Sequence, residues 1–123
     1  MLLMNRITSY YLETDAGRVP AKEFIESLEP ASRRKFFVAR ALLEELGYAL
    51  REPHVKYLGH KIFELRFTGQ EGTIRVLYFF VERNRIIFTN GFLKKTTQTP
   101  EREFVFAIRM RTDYLRGQAG GLL

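Results

Sequence analysis

The sequence predicts an α+β domain with helices packed against an antiparallel sheet, in the order β-α-α-β-β-β-α. Three observations carry this. The first part of the chain has apolar residues at helical spacing behind Pro20 and Pro30. Between Lys61 and Phe92, three strand-like runs are separated by turns short enough only for antiparallel neighbours. Then Thr99-Pro100-Glu101 opens a last apolar-periodic stretch. The 123 residues suffice for one core and not two. Residues 1–116 therefore read as a single domain, and the glycine-rich stretch 117–123 as a flexible C-terminal tail.

Arg6 to Glu13 mixes β-branched and aromatic residues and reads as the first strand. Asp15-Ala16-Gly17 turns the chain, and Pro20 suits the first position of a short helix, where its missing N–H would be unpaired anyway. Pro30 restarts the chain into a longer helix. Its apolar side holds Phe36, Ala39, Leu42, Leu43 and Leu46, and Gly47 is its stop. After a loop at Pro53, Lys61 to Phe67 alternates: Phe63, Leu65 and Phe67 share one side, Ile62, Glu64 and Arg66 the other. Thr73 to Val81 is apolar on both sides, as a central strand covered on each face should be. Arg85 to Phe92 is the fourth strand, and Gly91 near its end marks a bulge or a close backbone approach. The last helix is expected to take Thr99 as its cap, with acid in its first turn and Phe104, Ala107, Ile108 and Leu115 on its apolar side.

Composition excludes several classes of function. There is no cysteine, which removes disulfide frameworks, thiolate metal sites and cysteine nucleophiles together. With two histidines, His54 and His60, no metal site and no cofactor are expected. The longest apolar run, Val76 to Val81, is too short to span a bilayer, and Met1 to Arg6 does not read as a signal peptide. The expectation is a cytoplasmic protein with no membrane partner. Residues 1–50 are neutral, with seven basic and seven acidic residues, so the whole net charge of +6 sits in residues 51–123. A one-sided basic excess suits a polyanionic partner, or simply a solvated surface.

The basic residues near the meander are Lys56, Lys61, Arg66, Arg75, Lys94 and Lys95. The hairpin after Arg66 brings Arg75 to the same end of the sheet, and Lys94 and Lys95 leave the neighbouring strand there. Such a cluster suits a phosphodiester, whose charge rises as an attacking oxygen adds. The same residues also fit a solvated rim paired with Glu64 and Glu71. Either histidine could serve as a general base or be a plain surface residue. Tyr57 could stack on a base, whereas Tyr78, Phe79 and Phe80 read as core. No glycine-rich phosphate loop and no Ser/His/Asp constellation is present.

Several segments together carry a resemblance. They are Pro53-His54-Val55-Lys56-Tyr57-Leu58, Ile62-Phe63-Glu64-Leu65-Arg66, Arg75-Val76-Leu77-Tyr78, and Asn90-Gly91-Phe92-Leu93-Lys94-Lys95-Thr96-Thr97-Gln98-Thr99-Pro100. In this order they resemble the phage-derived HigB-like branch of the RelE/ParE toxin superfamily, from about Tyr10 to Tyr114. The resemblance implies a RelE-like fold and the toxin of a type II toxin–antitoxin module. It implies a metal-independent endoribonuclease that cleaves mRNA on the ribosome by 2′-hydroxyl attack. The implied partners are mRNA, the ribosome and a helix-turn-helix antitoxin of the HigA type. By the same resemblance Arg66 and Arg75 stabilise the phosphate, Lys94 or Lys95 handles a proton, and Lys56 and Lys61 hold flanking RNA phosphates; Tyr57, from its ring alone, is the further candidate for RNA binding. The superfamily also contains non-enzymatic inhibitors on the same fold, gyrase-type or nucleic-acid binding, which stand as the alternative.

Overall fold

The computed structural model describes residues 7–123; Met1–Arg6, on which the signal-peptide reading and the start of the first strand rest, lies outside them. The chain forms β1 (Thr8–Tyr11), α1 (Pro20–Glu26), α2 (Pro30–Leu46), a short 3₁₀ turn (Gly47–Ala49), β2 (Val55–Gly59), β3 (Ile62–Gly69), β4 (Gly72–Val81), β5 (Arg85–Leu93) and α3 (Glu101–Leu115). Pro20 and Pro30 each occupy the start of their helix, and Gly47 closes α2 at φ 53°. No helix among the described residues is long and apolar enough to cross a membrane.

The sheet is mixed rather than antiparallel, with strand order β1-β5-β4-β3-β2. The meander β2 to β5 is antiparallel, but β1 pairs in parallel with β5, from Thr8 opposite Arg85 to Tyr11 opposite Phe88. From β1 the chain crosses one face of the sheet through α1 and α2 and re-enters at the far edge. Three hairpin reversals then return β5 beside β1 in β1's own direction. The element order also gains a strand: β2 occupies part of what the sequence presents as loop. It is short and bulged between Tyr57 and Gly59, so it carries no clean alternation.

Each face of the sheet has its own core. Tyr11, Phe36, Leu43, Leu65, Val76, Tyr78 and Phe88 pack under α1 and α2. Leu12, Ile62, Leu77, Phe79, Ile87, Ala107 and Met110 pack under α3. β4 is thus buried on both sides, as its sequence predicts. Gly91 is a close approach, since a Cβ there would overlap the Phe24 ring of α1. A bulge lies near it, at Leu77 and Tyr78 opposite Asn90 and Phe88.

Residues 117–123, expected to be a free tail, return along the β1 edge instead. Tyr11 and Leu123 exchange backbone hydrogen bonds at 2.8 and 2.9 Å, and Glu13 pairs with Gly120 and Gly121 at 2.8 and 2.9 Å. An unpaired edge strand is a template for unwanted pairing, and this segment covers the Tyr11 end of β1 and the two residues after it. At the opposite end of the meander, His60 (φ 52°), Lys61 (φ 68°) and Glu82 (φ 56°) hold left-handed backbone conformations. Such a conformation costs a non-glycine residue roughly 1–2 kcal/mol.

Candidate functional site

The β3–β4 register sets Arg66 directly opposite Arg75 on the α3 side of the sheet. α3 covers the half of that side holding Ile62, Leu77, Phe79 and Ile87, so the arginines lie beyond its cover. Like charges directly opposite on a sheet are destabilising. Glu64, two residues earlier on the same side, offsets this in part. It is fully buried, and its Oε1 lies 3.4 Å from the Nε of both arginines. These are ion pairs without hydrogen bonds: Glu64 Oε1 and both arginine Nε groups are buried and have no hydrogen-bond partner. The other carboxylate oxygen, Oε2, accepts the Thr99 hydroxyl at 2.5 Å. Thr99 therefore does not cap α3, which begins at Glu101 without a side-chain cap; its hydroxyl ties the loop before α3 to the site.

Two lysines complete the cluster. Lys56 of β2 sits opposite Glu64. The Lys94 N–H donates to the Thr73 carbonyl at 2.8 Å, which holds Lys94 beside the start of β4. Burial lowers the pKa of the Lys94 ammonium; Glu64 opposes the shift, and Arg75, Arg66 and Lys56 add to it. The Arg75 guanidinium is likewise lowered, first by burial and then by Arg66, with Glu64 opposing. Four cations thus surround one carboxylate, and the two arginine Nε groups remain unsatisfied. A buried charge costs free energy unless it is paired and hydrogen-bonded, so this arrangement favours an added anion.

A cleft of about 400 Å³ opens beside the pair, lined by Pro53, His54, Arg66, Phe67, Thr68 and Arg75. His54 is held there by its backbone, whose carbonyl accepts the Arg66 N–H at 2.9 Å. Of the two sequence-equivalent histidines, His54 is the one at the cleft; His60 packs edge-on against Phe104 at 5.9 Å. Their loop positions alone could not separate them.

The structure thus brings together Lys56, Arg66, Arg75 and Lys94. Lys95 is exposed in the loop beyond β5. Lys61 and Tyr57 lie at the opposite end of the sheet, where the Lys61 N–H donates to the Tyr57 hydroxyl at 3.1 Å. Lys61 is five residues from Arg66 along the chain, about 16 Å at strand rise. Glu71 is not a partner of the arginines: it accepts the Glu29 N–H at 2.6 Å and the Ser32 hydroxyl at 2.5 Å, which tie the start of α2 to the β3–β4 turn. Tyr114 packs against Phe79 and accepts a hydrogen bond from Arg85 at 3.3 Å, so its role is in packing.

The fold and this basic cleft define a small α+β domain equipped to hold an anion. The sequence model of the family described as Phage derived protein Gp49-like (DUF891) matches residues 23–112, which span most of the helices and every residue of the cluster. The chain belongs to this phage-derived family, which is RelE/toxin-like. No curated protein matches the chain.

Proposed function

We propose that this protein is the toxin of a type II toxin–antitoxin module, of the HigB-like branch, acting in the cytoplasm as a ribosome-dependent mRNA endoribonuclease. The observation that carries the reading is the pair of opposed, part-buried arginines with unsatisfied Nε groups, flanked by His54 and Lys94. In the proposed reaction a base takes the proton of a ribose 2′-hydroxyl, and the 2′-oxygen attacks the adjacent phosphorus. The bond to the 5′-oxygen of the next nucleotide breaks, and that oxygen takes a proton. The products are a 2′,3′-cyclic phosphate and a 5′-hydroxyl. His54, lining the cleft beside both arginines, suits the base. Arg66 and Arg75 suit the phosphoryl oxygens as their charge develops. Lys94, its ammonium acidified by burial, suits the proton donor. Lys56, exposed on β2, suits a flanking phosphate.

Ribosome dependence follows from orientation. Free RNA rarely holds its 2′-oxygen in line with the leaving group, and a ribosome-bound codon can be fixed in that geometry. An antitoxin of the HigA type would have to silence this basic surface. A cleft of about 590 Å³ along α2 has an apolar floor of Val38, Leu42 and Phe67 and the basic residues Arg34, Lys35, His54 and Arg66, with no carboxylate, which suits an acidic, partly apolar antitoxin segment. One observation favours a second reading: Glu64 already engages both arginines, as it would in a non-enzymatic inhibitor or nucleic-acid binder.

Induced expression followed by mapping of mRNA 5′ ends tests the proposal. New 5′-hydroxyl ends within translated codons, together with growth arrest, are expected. Growth arrest without new ends would move the protein to the non-enzymatic class. Co-expression of a small helix-turn-helix protein encoded beside this gene should restore growth and co-purify with the toxin; failure of every neighbouring small reading frame to do so would remove the module.

A further inference from the structure

A third cavity, of about 380 Å³, lies at the end of the sheet opposite the arginine cleft. Its walls are aromatic. Phe63 and Phe80 meet edge to face at 5.2 Å, Tyr48 stacks on Phe80 at 3.7 Å, and Tyr57 leans on Phe63 at 4.8 Å. The two phenylalanines back the two tyrosines, and each tyrosine remains 54% exposed. Lys61, Arg111 and Glu82 complete the lining. The Arg111 Nε is buried and has no hydrogen-bond partner.

The backbone around this cavity is strained. All three non-glycine residues with left-handed φ among those described, His60, Lys61 and Glu82, lie in the two turns bordering it, and two of them line it. Asn-Gly would make a two-residue hairpin turn of this kind with less strain. Side chains kept in strained backbone mark sites where position matters more than stability.

We propose that this cavity binds one unpaired nucleotide of an RNA strand. Tyr48 and Tyr57 offer ring faces to the base, Lys61 and Arg111 take the phosphate, and the Glu82 carboxylate meets an N–H on the base edge. Planar stacking beside cations is how single strands are held without sequence-wide readout. An acidic peptide would meet the same cations but would leave the ring faces without a planar partner. The identification of the strand as RNA rests on the proposed function; the cavity's chemistry does not. About 16 Å along β3 from the cutting site, it would hold a nucleotide a few positions from the cleaved bond and so add to substrate choice.

Two measurements on the full-length protein test this. In the first, backbone amide resonances of the wild type are followed while each nucleoside 5′-monophosphate is added. Shifts centred on Tyr48, Tyr57, Lys61 and Arg111 are expected. In the second, fluorescence anisotropy reads the affinity of a labelled single-stranded RNA decamer for the wild type and for the double variant Tyr57→Leu/Lys61→Gln, checked for folding by circular dichroism. A loss of roughly tenfold is expected. Shifts confined to the arginine cleft, no shifts at all, or an unchanged decamer affinity would overturn the proposal. If the double variant fails to fold, the wild-type shift map decides alone. Neither readout involves cleavage, so a failed nuclease reading and a failed nucleotide cavity would be told apart.

Discussion

Arg40 and Arg75 lie on opposite faces of one sheet and are almost equally withdrawn from water, with side-chain exposures of 18% and 11%. Their surroundings differ. Arg40, on α2, donates to the Ser9 hydroxyl at 2.5 Å, the Ser9 carbonyl at 2.8 Å and the Tyr11 hydroxyl at 3.1 Å. Its guanidinium sits 4.9 Å from the Tyr11 ring centre, and Glu44 lies 3.8 Å away. It is a clamp, satisfied on every side, that fixes α2 to β1. Arg75 donates one hydrogen bond, to the Ile74 carbonyl at 3.0 Å, faces another arginine and leaves its Nε, 3.4 Å from Glu64, without a hydrogen bond. Burial alone therefore does not distinguish a structural cation from one proposed to hold substrate. What distinguishes them is whether the fold itself satisfies the charge.

The two arginines should differ most in activity. Arg75→Ala should lower RNA cleavage by roughly 10²-fold or more, because charged contacts to a phosphoryl transition state are worth several kcal/mol. Its stability should stay within about 1 kcal/mol of wild type, since Arg66 still pairs with Glu64 and the opposed like charge is gone. Arg40→Ala should do the reverse. Loss of its hydrogen bonds, with Glu44 left unpaired, should cost about 2–3 kcal/mol in denaturant unfolding, with cleavage per folded molecule unchanged.

Glu64→Gln strips the arginines of the one carboxylate paired with them among the described residues. The variant should lose about 2 kcal/mol, and added inorganic phosphate should raise its melting temperature more than that of the wild type. An equal response in both proteins would mean that the pair is not short of an anion. Thr99→Val, which frees the loop before α3 from Glu64, should cost about 1–2 kcal/mol, one hydrogen bond to a charged group.

The smallest effect is in pH dependence. A proton donor must be charged, and the Lys94 pKa is lowered by burial, so the alkaline limb of the cleavage rate should lie below the usual lysine value of 10.5. Lys56→Gln removes one of the repelling charges and should move that limb upward. As for a carboxylate with a lowered pKa, stability rises with pH through the shifted range, but here the rise relieves a penalty on the charged form. Keeping Lys94 charged disfavours the fold at low and neutral pH, and this cost should fade as pH rises from the folded pKa towards 10.5.

Much of this contrast was legible in the sequence, through local rules. Alternation in β3 put Glu64 and Arg66 on one side, and a short turn is enough to carry Arg75 across from Arg66. Pro20, Pro30 and Gly47 marked helix ends because each acts on its own backbone. What was not legible depends on partners far away in the chain. The parallel pairing of β1 with β5 joins Thr8 to Arg85 and has no turn to announce it. Thr99 carries the signature of a helix cap, yet its hydroxyl reaches Glu64, 35 residues earlier. The glycines of residues 117–123 suggest freedom, and only the β1 edge shows what they bind. The satisfaction of Arg40 depends on Ser9 and Tyr11, so no inspection of α2 alone could rank it against Arg75.

Primer extension on a reconstituted translation reaction containing one mRNA, with wild type, Arg40→Ala or Arg75→Ala protein at equal folded concentration, tests whether the unsatisfied arginine pair cuts RNA. Cuts within translated codons are expected for the wild type and Arg40→Ala, no cuts for Arg75→Ala, and little cleavage of the same mRNA without ribosomes. Full cleavage by Arg75→Ala would contradict the assignment of the site, and equal cleavage with and without ribosomes would contradict the ribosome-dependent mechanism.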